Sequence, residues 1–168
     1  MTYTGAGFIL LSPDCTRTLL VNDARSKKWG FPKGHREKYD ANDLDTAIRE
    51  CEEETGLQTS DYTIKSDVFR VSKGSQSYLF RYAVIHSDRM DAISTHPDYL
   101  HEIRECRWVP IRELLKANHI YDGNKYLRTW VSDLQQDISK KSIHLFKKLR
   151  SLHPAHESVG SANVIACS

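Results

Sequence analysis

The chain has 168 residues, enough for one compact domain with its own apolar core and too few for two full ones. Apolar residues make up 39% and charged residues 27%, a globular rather than a disordered balance. The net charge of +2, from 24 basic and 22 acidic residues, excludes a single-sign field drawing the whole molecule to nucleic acid or membrane.

In chain order, Gly7 to Leu11 reads as a buried strand and Thr18 to Val21 as a second, with Ser12-Pro13-Asp14 turning between them. Arg25 to His35 (RSKKWGFPKGH) reads as a basic loop punctuated by glycine and proline. Asn42 or Asp43 can N-cap a helix that runs to about Thr55, with Gly56 in the C′ place. Thr63 to Val71 and Ser77 to Ile85 are strand-like, joined by a Lys73-Gly74-Ser75 hairpin. Asp88 to Tyr99 is polar and loop-like, and Arg107 to Val109 is a short strand ended by Pro110. Ile111 to Ala117 reads as a helix, and a longer helical pattern starts near Asn124. Strands interspersed with helices predict an α/β class.

The cysteines, Cys15, Cys51, Cys106 and Cys167, form no C-x-x-C pair, and the eight histidines complete no zinc spacing. Free thiols in a reducing cytosol are the expectation. Met1 to Gly7 has no signal-peptide character, and the longest pure apolar runs are four residues, so no membrane span is expected. The expected location is the cytoplasm, with the nucleus left open. The sequence leaves the oligomeric state undecided.

The chemistry concentrates on the helix at residues 44–55. Leu44, Ala47, Ile48 and Cys51 fall at i, i+3, i+4 and i+7 and make one core-facing stripe. Glu50, Glu53 and Glu54 repeat the i, i+3, i+4 spacing on a second face. Like charges at that spacing repel, and they sit at the negative end of the helix dipole. A hard divalent cation removes the conflict, and Mg²⁺ takes carboxylate oxygens, keeps waters and shares a substrate phosphate. The plainer reading is a solvated acidic face with Arg49 as local partner. The adjoining loop, bearing Lys33 and His35, favours an anionic substrate held with a metal.

Gly34 followed by Arg49-Glu50-Cys51-Glu52-Glu53-Glu54-Thr55-Gly56-Leu57 resembles the Nudix box, which reads Gly, five residues, Glu, seven residues, then R-E-U-x-E-E-x-G-U with U bulky and apolar. Fourteen residues separate Gly34 from Arg49 where the box has thirteen, so one residue is inserted between Arg36 and Asn42. The first box Glu becomes Asp40 in one register and Ala41 in the other. The order of strands also resembles the Nudix fold, a mixed β-sheet sandwiched between α-helices. The likeness extends over residues 1–137.

The resemblance implies that Glu50, Glu53 and Glu54 bind Mg²⁺ or Mn²⁺, that Arg49 orients a carboxylate, and that the Gly34 backbone comes close to the metal. It adds Glu102, six residues before Trp108, as a later metal-binding or basic carboxylate, with Glu105 as the alternative. The implied reaction is attack of water on a phosphorus of a phosphoanhydride. One Glu among Glu54, Glu50 and Glu102 is the base, and Lys33 neutralises a phosphate.

P-K-G-H followed by D-L-D-T-A-I-R-E resembles asymmetric diadenosine tetraphosphate hydrolases. W-G-F-P-K-G, N-D-L-D and E-E-T-G resemble mRNA-decapping enzymes. Diphosphoinositol polyphosphate hydrolases rank third, and a non-catalytic nucleotide- or RNA-binding module is the non-enzyme alternative. His35 tips the expectation towards dinucleoside polyphosphates. Tyr82 and Tyr99 are candidates to stack a base.

The tail adds a different character. Residues 1–137 carry 19 basic and 21 acidic residues, whereas 138–153 carry five basic and no acidic ones. Residues 138–153 are expected to form a basic helix, either docked on the domain or contacting an RNA backbone. Residues 154–168 are expected to be a disordered tail.

Overall fold

A computed structural model describes residues 3–116 and 121–139. The basic segment 138–153 lies almost wholly outside the described residues, and the tail 154–168 wholly so.

Seven strands form one mixed sheet. They are β1 (Gly5–Leu11), β2 (Arg17–Asp23), β3 (Trp29–Gly30), β4 (Lys33–His35), β5 (Tyr62–Lys73), β6 (Gln76–Ile85) and β7 (Ile103–Pro110). Among the described residues, three α-helices accompany them: α1 (Asp43–Thr55), α2 (Ile111–Leu114) and α3 (Lys125–Ser139). The main path runs β3-β2-β1-β6-β5, with β4 paired to β1 and β7 to β2. β1 runs parallel to β6 in continuous register from Gly5↔Tyr78 to Leu11↔Val84, and the other pairings are antiparallel.

β1 is buried along its whole length, so its alternating side chains feed two cores. Ala6, Phe8 and Leu10 face α1, joining Ala47, Cys51 and Leu57, with Leu44 and Ile48 packed at the margin. Ile9 and Leu11 face the other way, with Phe31, Phe80, Leu127 and Trp130 of the α3 side. This is the expected α/β/α sandwich, and α1 buries the stripe that its spacing predicts.

The basic loop is more ordered than its composition suggests. Lys33, Gly34 and His35 form β4 and pair with Gly7, Ala6 and Gly5 of β1, while Trp29 and Gly30 pair with Asn22 and Val21. Gly5 and Gly7 make this approach possible, because a Cβ on either would overlap the opposing backbone. The helix expected at 111–117 is confined to α2, and the hairpin turns on Gly74, at φ 62°. Tyr82, a candidate stacking residue, is 2% exposed and lies in the α3-side core, where its hydroxyl accepts from Trp130 Nε1 at 2.9 Å. That burial corrects the expectation: Tyr82 packs the core and has no face to offer a base. Among the described residues no helix is long and apolar enough to cross a membrane.

Candidate active site

The site is built where β4 lies against α1. Asn42 starts the helix by accepting from the Leu44 and Asp45 amides, which fixes the N-cap. Gly56 ends it in the left-handed region at φ 73°, where a Cβ would overlap the Ser94 carbonyl. No basic residue occupies the last turn. The segment 94–96 satisfies its carbonyls instead: Ser94 N donates to Thr55 O at 2.9 Å, His96 N to Glu53 O at 3.1 Å and Thr95 Oγ1 to Glu54 O at 2.8 Å. These contacts cap the helix end that bears the acidic face.

Arg49 organises that face. Its Nε and Nη2 donate to Asp40 at 3.2 and 3.0 Å, its Nη1 to Glu50 at 2.8 Å and Glu53 at 3.0 Å, and its Nη2 to the His35 carbonyl at 2.9 Å. Asp40 also accepts from the Thr46 hydroxyl and the Glu37 amide, and the Arg49 fork holds its carboxyl down to about 2. The inserted residue is thereby located: Asp40 keeps its six-residue distance from Gly34 and pairs with Arg49, so the extra residue falls between Asp40 and the helix. Sequence spacing leaves Asp40 and Ala41 as equal candidates, and only the side chain's reach to Arg49 separates them.

Glu50 and Glu54 are surrounded by protein yet keep a path to solvent. Burial pushes Glu50 up to about 7, against the pull of Arg49, and Glu54 up to about 8, against the pull of Lys33. Glu54 Oε2 accepts from the Lys33 amide at 3.0 Å. Gly34 has no room for a side chain, since a Cβ there would overlap the Glu50 carboxylate. The Lys33 ammonium stands over the rings of Tyr78 and Tyr126, at 5.6 and 5.8 Å. Tyr126 does not stand out in the sequence as a site residue, since it comes from α3, far along the chain.

The remaining candidates fall around this centre. Glu102 is half-exposed, touches the His101 ring at 3.3 Å, and is close enough to Glu54 for its charge to help raise that group. Glu105 is held in an ion pair with Arg107. His35 is exposed, with its ring edge-on to Tyr78 at 5.9 Å. The Tyr99 hydroxyl bonds to Glu53, which raises it to about 12. The structure thus brings Lys33, Gly34, Arg49, Glu50, Glu53, Glu54 and Tyr99 together, places Glu102 beside them and leaves Tyr82 out.

Among the described residues no three His, Cys, Asp or Glu side chains close on a metal as they stand, because Arg49 and the Lys33 amide hold the carboxylates. The donor chemistry nevertheless fits a hard divalent cation: Glu50, Glu53 and Glu54 offer carboxylate oxygens, and Mg²⁺ needs only one or two such ligands beside its waters. Two recessed carboxylates raised by burial are the groups that a cation would return to the ionised form.

A family model described as the NUDIX domain matches residues 1–131. A putative mRNA-decapping protein of Acanthamoeba polyphaga mimivirus is 29% identical over 108 residues, 60% of this chain and 29% of that protein. The mRNA-decapping enzyme subunit 2 of Saccharomyces cerevisiae is 28% identical over 121 residues, 72% of this chain and 12% of its own length. The m7GpppN-mRNA hydrolase of Caenorhabditis elegans is 29% identical over 153 residues, 84% of this chain and 19% of its own length. The chain therefore spans less than a third of these relatives. In structure, the binary complex of a C. elegans Ap4A hydrolase superposes with a TM-score of 0.62 at 18% identity, covering 81% of this chain and 98% of that one. A MutT protein of Methanosarcina mazei superposes with a TM-score of 0.57 at 16% identity, over 81% and 95% of the two chains.

Proposed function

The chain belongs to the Nudix family, and on that premise we propose that it hydrolyses the polyphosphate bridge between two nucleosides, the linkage shared by dinucleoside polyphosphates and the mRNA cap. The observation that carries this reading is the acidic face of α1, where Glu50 and Glu54 sit recessed against β4 with the Lys33 ammonium beside them. Such a site suits a polyanion bound together with a divalent cation.

Glu50, Glu53 and Glu54 would hold Mg²⁺ or Mn²⁺, with Glu102 within electrostatic reach. The cation, when bound, supplies charge neutralisation for the bridging phosphates and a more acidic water. Arg49 fixes the Glu50 and Glu53 carboxylates on the helix and competes with the cation for them. Lys33 offers a point charge to a phosphate that the cation does not cover. Glu54, returned to its ionised form by a bound cation, would take a proton from water, and Glu50 or Glu102 could serve in its place.

Between the two sources of that bridge, the capped RNA end is the reading that the sequence relatives favour. Their likeness covers 72% and 84% of this chain at 28% and 29% identity, whereas the likeness to Ap4A hydrolase, at 18%, carries the fold alone. The acid-free segment 138–153, with Lys140, Lys141, Lys147, Lys148 and Arg150, suits a phosphate backbone. A free dinucleoside polyphosphate is the second reading, supported by His35 at the edge of the Tyr78 ring.

The two separate on one experiment. Capped RNA and diadenosine tetraphosphate are each offered with Mg²⁺ to the full chain and to a variant carrying Lys147→Ala and Lys148→Ala. An RNA substrate predicts weaker binding in the variant and a shallower salt dependence. A dinucleotide substrate predicts equal rates for the two proteins. Cleavage of neither substrate would sink the proposal.

A further inference from the structure

The segment 94–102 leads from the end of α1 to Glu102, and no apolar anchor holds it. None of its side chains is buried, and Thr95 and Tyr99 are the least exposed of them. Both bond to α1: Thr95 Oγ1 donates to the Glu54 carbonyl at 2.8 Å, and the Tyr99 hydroxyl donates to the Glu53 carboxylate. The backbone adds His96 N to the Glu53 carbonyl at 3.1 Å and Ser94 N to the Thr55 carbonyl at 2.9 Å. Hydrogen bonds to residues 53–55, rather than burial, therefore place this segment against the helix.

Beyond Tyr99 the chain makes one tight turn. The Tyr99 amide donates to the His96 carbonyl at 2.9 Å, and the Tyr99 carbonyl accepts from the Glu102 amide at 2.9 Å. The Glu102 carbonyl accepts in turn from the Ala24 amide at 2.7 Å, just past the end of β2. Tyr99 is thus bonded to Glu53 through its side chain and to Glu102 through its backbone. Glu102 lies close enough to Glu54 for its charge to act there.

A residue that only stacked on a base would use its ring face and leave its hydroxyl idle. Here the hydroxyl is committed to a carboxylate. Glu53 has a second donor in Arg49 Nη1, at 3.0 Å. The two donors differ in kind. When Glu53 serves as a metal ligand, the guanidinium is a competitor, whereas the neutral phenol repels no cation and can keep its hold on the carboxylate. Removing a group that orients a ligating carboxylate in this way costs about 10–100-fold in metal affinity or activity.

We infer that Tyr99 is a positioning residue for the cation site: its hydroxyl orients the Glu53 carboxylate, and its place in the turn fixes Glu102 relative to α1. The inference rests on the reading of Glu50, Glu53 and Glu54 as metal ligands, and it names the element that brings a carboxylate from another part of the chain to them.

Metal binding can be read without substrate or turnover, which separates this inference from the proposed reaction. Mn²⁺ is titrated into the unaltered full chain, Tyr99→Phe, Glu102→Gln and the double variant. Free Mn²⁺ is followed by its electron paramagnetic resonance signal, and melting of each metal-free protein reports the fold. Tyr99→Phe keeps the ring and loses the hydroxyl alone. It is expected to bind Mn²⁺ about tenfold more weakly, with a melting temperature close to that of the unaltered chain. In the double variant the loss is expected to be smaller than the two single losses combined, because both changes act on the same carboxylate. Equal Mn²⁺ affinity in Tyr99→Phe, the outcome for a residue that only stacks on a base, overturns the inference. So does a loss that appears only with a lowered melting temperature, or one that simply adds to that of Glu102→Gln. Failure of hydrolysis with the expected Mn²⁺ pattern would strike the proposed reaction alone, and absence of Mn²⁺ binding by the unaltered chain would strike both.

Discussion

Replacing Arg49 with alanine probes how the acidic helix is held. The guanidinium donates to Asp40 at 3.2 and 3.0 Å, to Glu50 at 2.8 Å and to Glu53 at 3.0 Å. The Asp40 side chain is 4% exposed, so removal of the cation leaves a buried carboxylate with only the Thr46 hydroxyl and the Glu37 amide as donors. Breaking a buried pair from one side costs about 3–5 kcal/mol. Repulsion between Glu50 and Glu53, no longer bridged, adds a few tenths. At roughly 2–4 °C per kcal/mol for a chain of this size, the melting temperature falls by about 6–20 °C. Arg49→Lys keeps the charge, loses the planar fork, and falls by about half as much. The pH dependence has a definite sign. Asp40 is held down to about 2, chiefly by the Arg49 hydrogen bond, against about 3.9 in an unfolded chain. Its contribution is complete above roughly pH 5 and is lost as the pH falls through about 4 towards 2. Thermal unfolding of the metal-free protein, followed by circular dichroism at several pH values, reads both effects. A loss under about 2 °C for Arg49→Ala, or a deficit that does not shrink in acid, would refute the reasoning.

Other perturbations test separate parts of the site and core. Gly34→Ala forces a Cβ into the Glu50 carboxylate; it should cost about 1–3 kcal/mol and lower turnover through displaced Glu50, as stability and kcat measured side by side will show. Tyr82→Phe leaves Trp130 Nε1 without its acceptor; a loss of about 1–3 kcal/mol with unchanged KM is expected, and a raised KM would return Tyr82 to the binding site. Asp61 accepts from the Gln58 amide at 2.8 Å and from Arg89 at 2.7 Å, which lower its pKa. Asp61→Asn should therefore destabilise by about 1–2 kcal/mol at neutral pH, and the gap should close as the pH falls below the ordinary aspartate value, in urea titrations at neutral and acidic pH.

How much of this was legible in the sequence follows from the range of the interactions involved. α1 was legible to its caps, because Asn42, the apolar stripe and Gly56 act within a few residues of one another. The convergence of Glu50, Glu53 and Glu54 follows from the same helical period. β4 was not legible: three residues, Lys33 to His35, have no strand pattern of their own and are ordered by β1 alone. Capping of the helix end by Ser94, Thr95 and His96 was hidden for the same reason, since those donors lie some forty residues away and carry no local signal. Tyr82 misled because alternation along β6 sets which face a ring occupies and says nothing of what covers that face, which here is α3.

The central claim is that the acidic face of α1 hydrolyses a phosphoanhydride between nucleosides with the help of a divalent cation. Its most direct test is the product mass after incubation in ¹⁸O-labelled water with Mg²⁺, comparing the unaltered chain with Glu54→Gln on capped RNA and diadenosine tetraphosphate. The substituted amide oxygen can still accept from the Lys33 amide, so the fold is retained while one carboxylate charge is removed. The account predicts one ¹⁸O atom in a phosphate of the product from the unaltered chain, and turnover lower by orders of magnitude in the variant. Unlabelled products, or near-normal turnover by a folded Glu54→Gln protein, would contradict it.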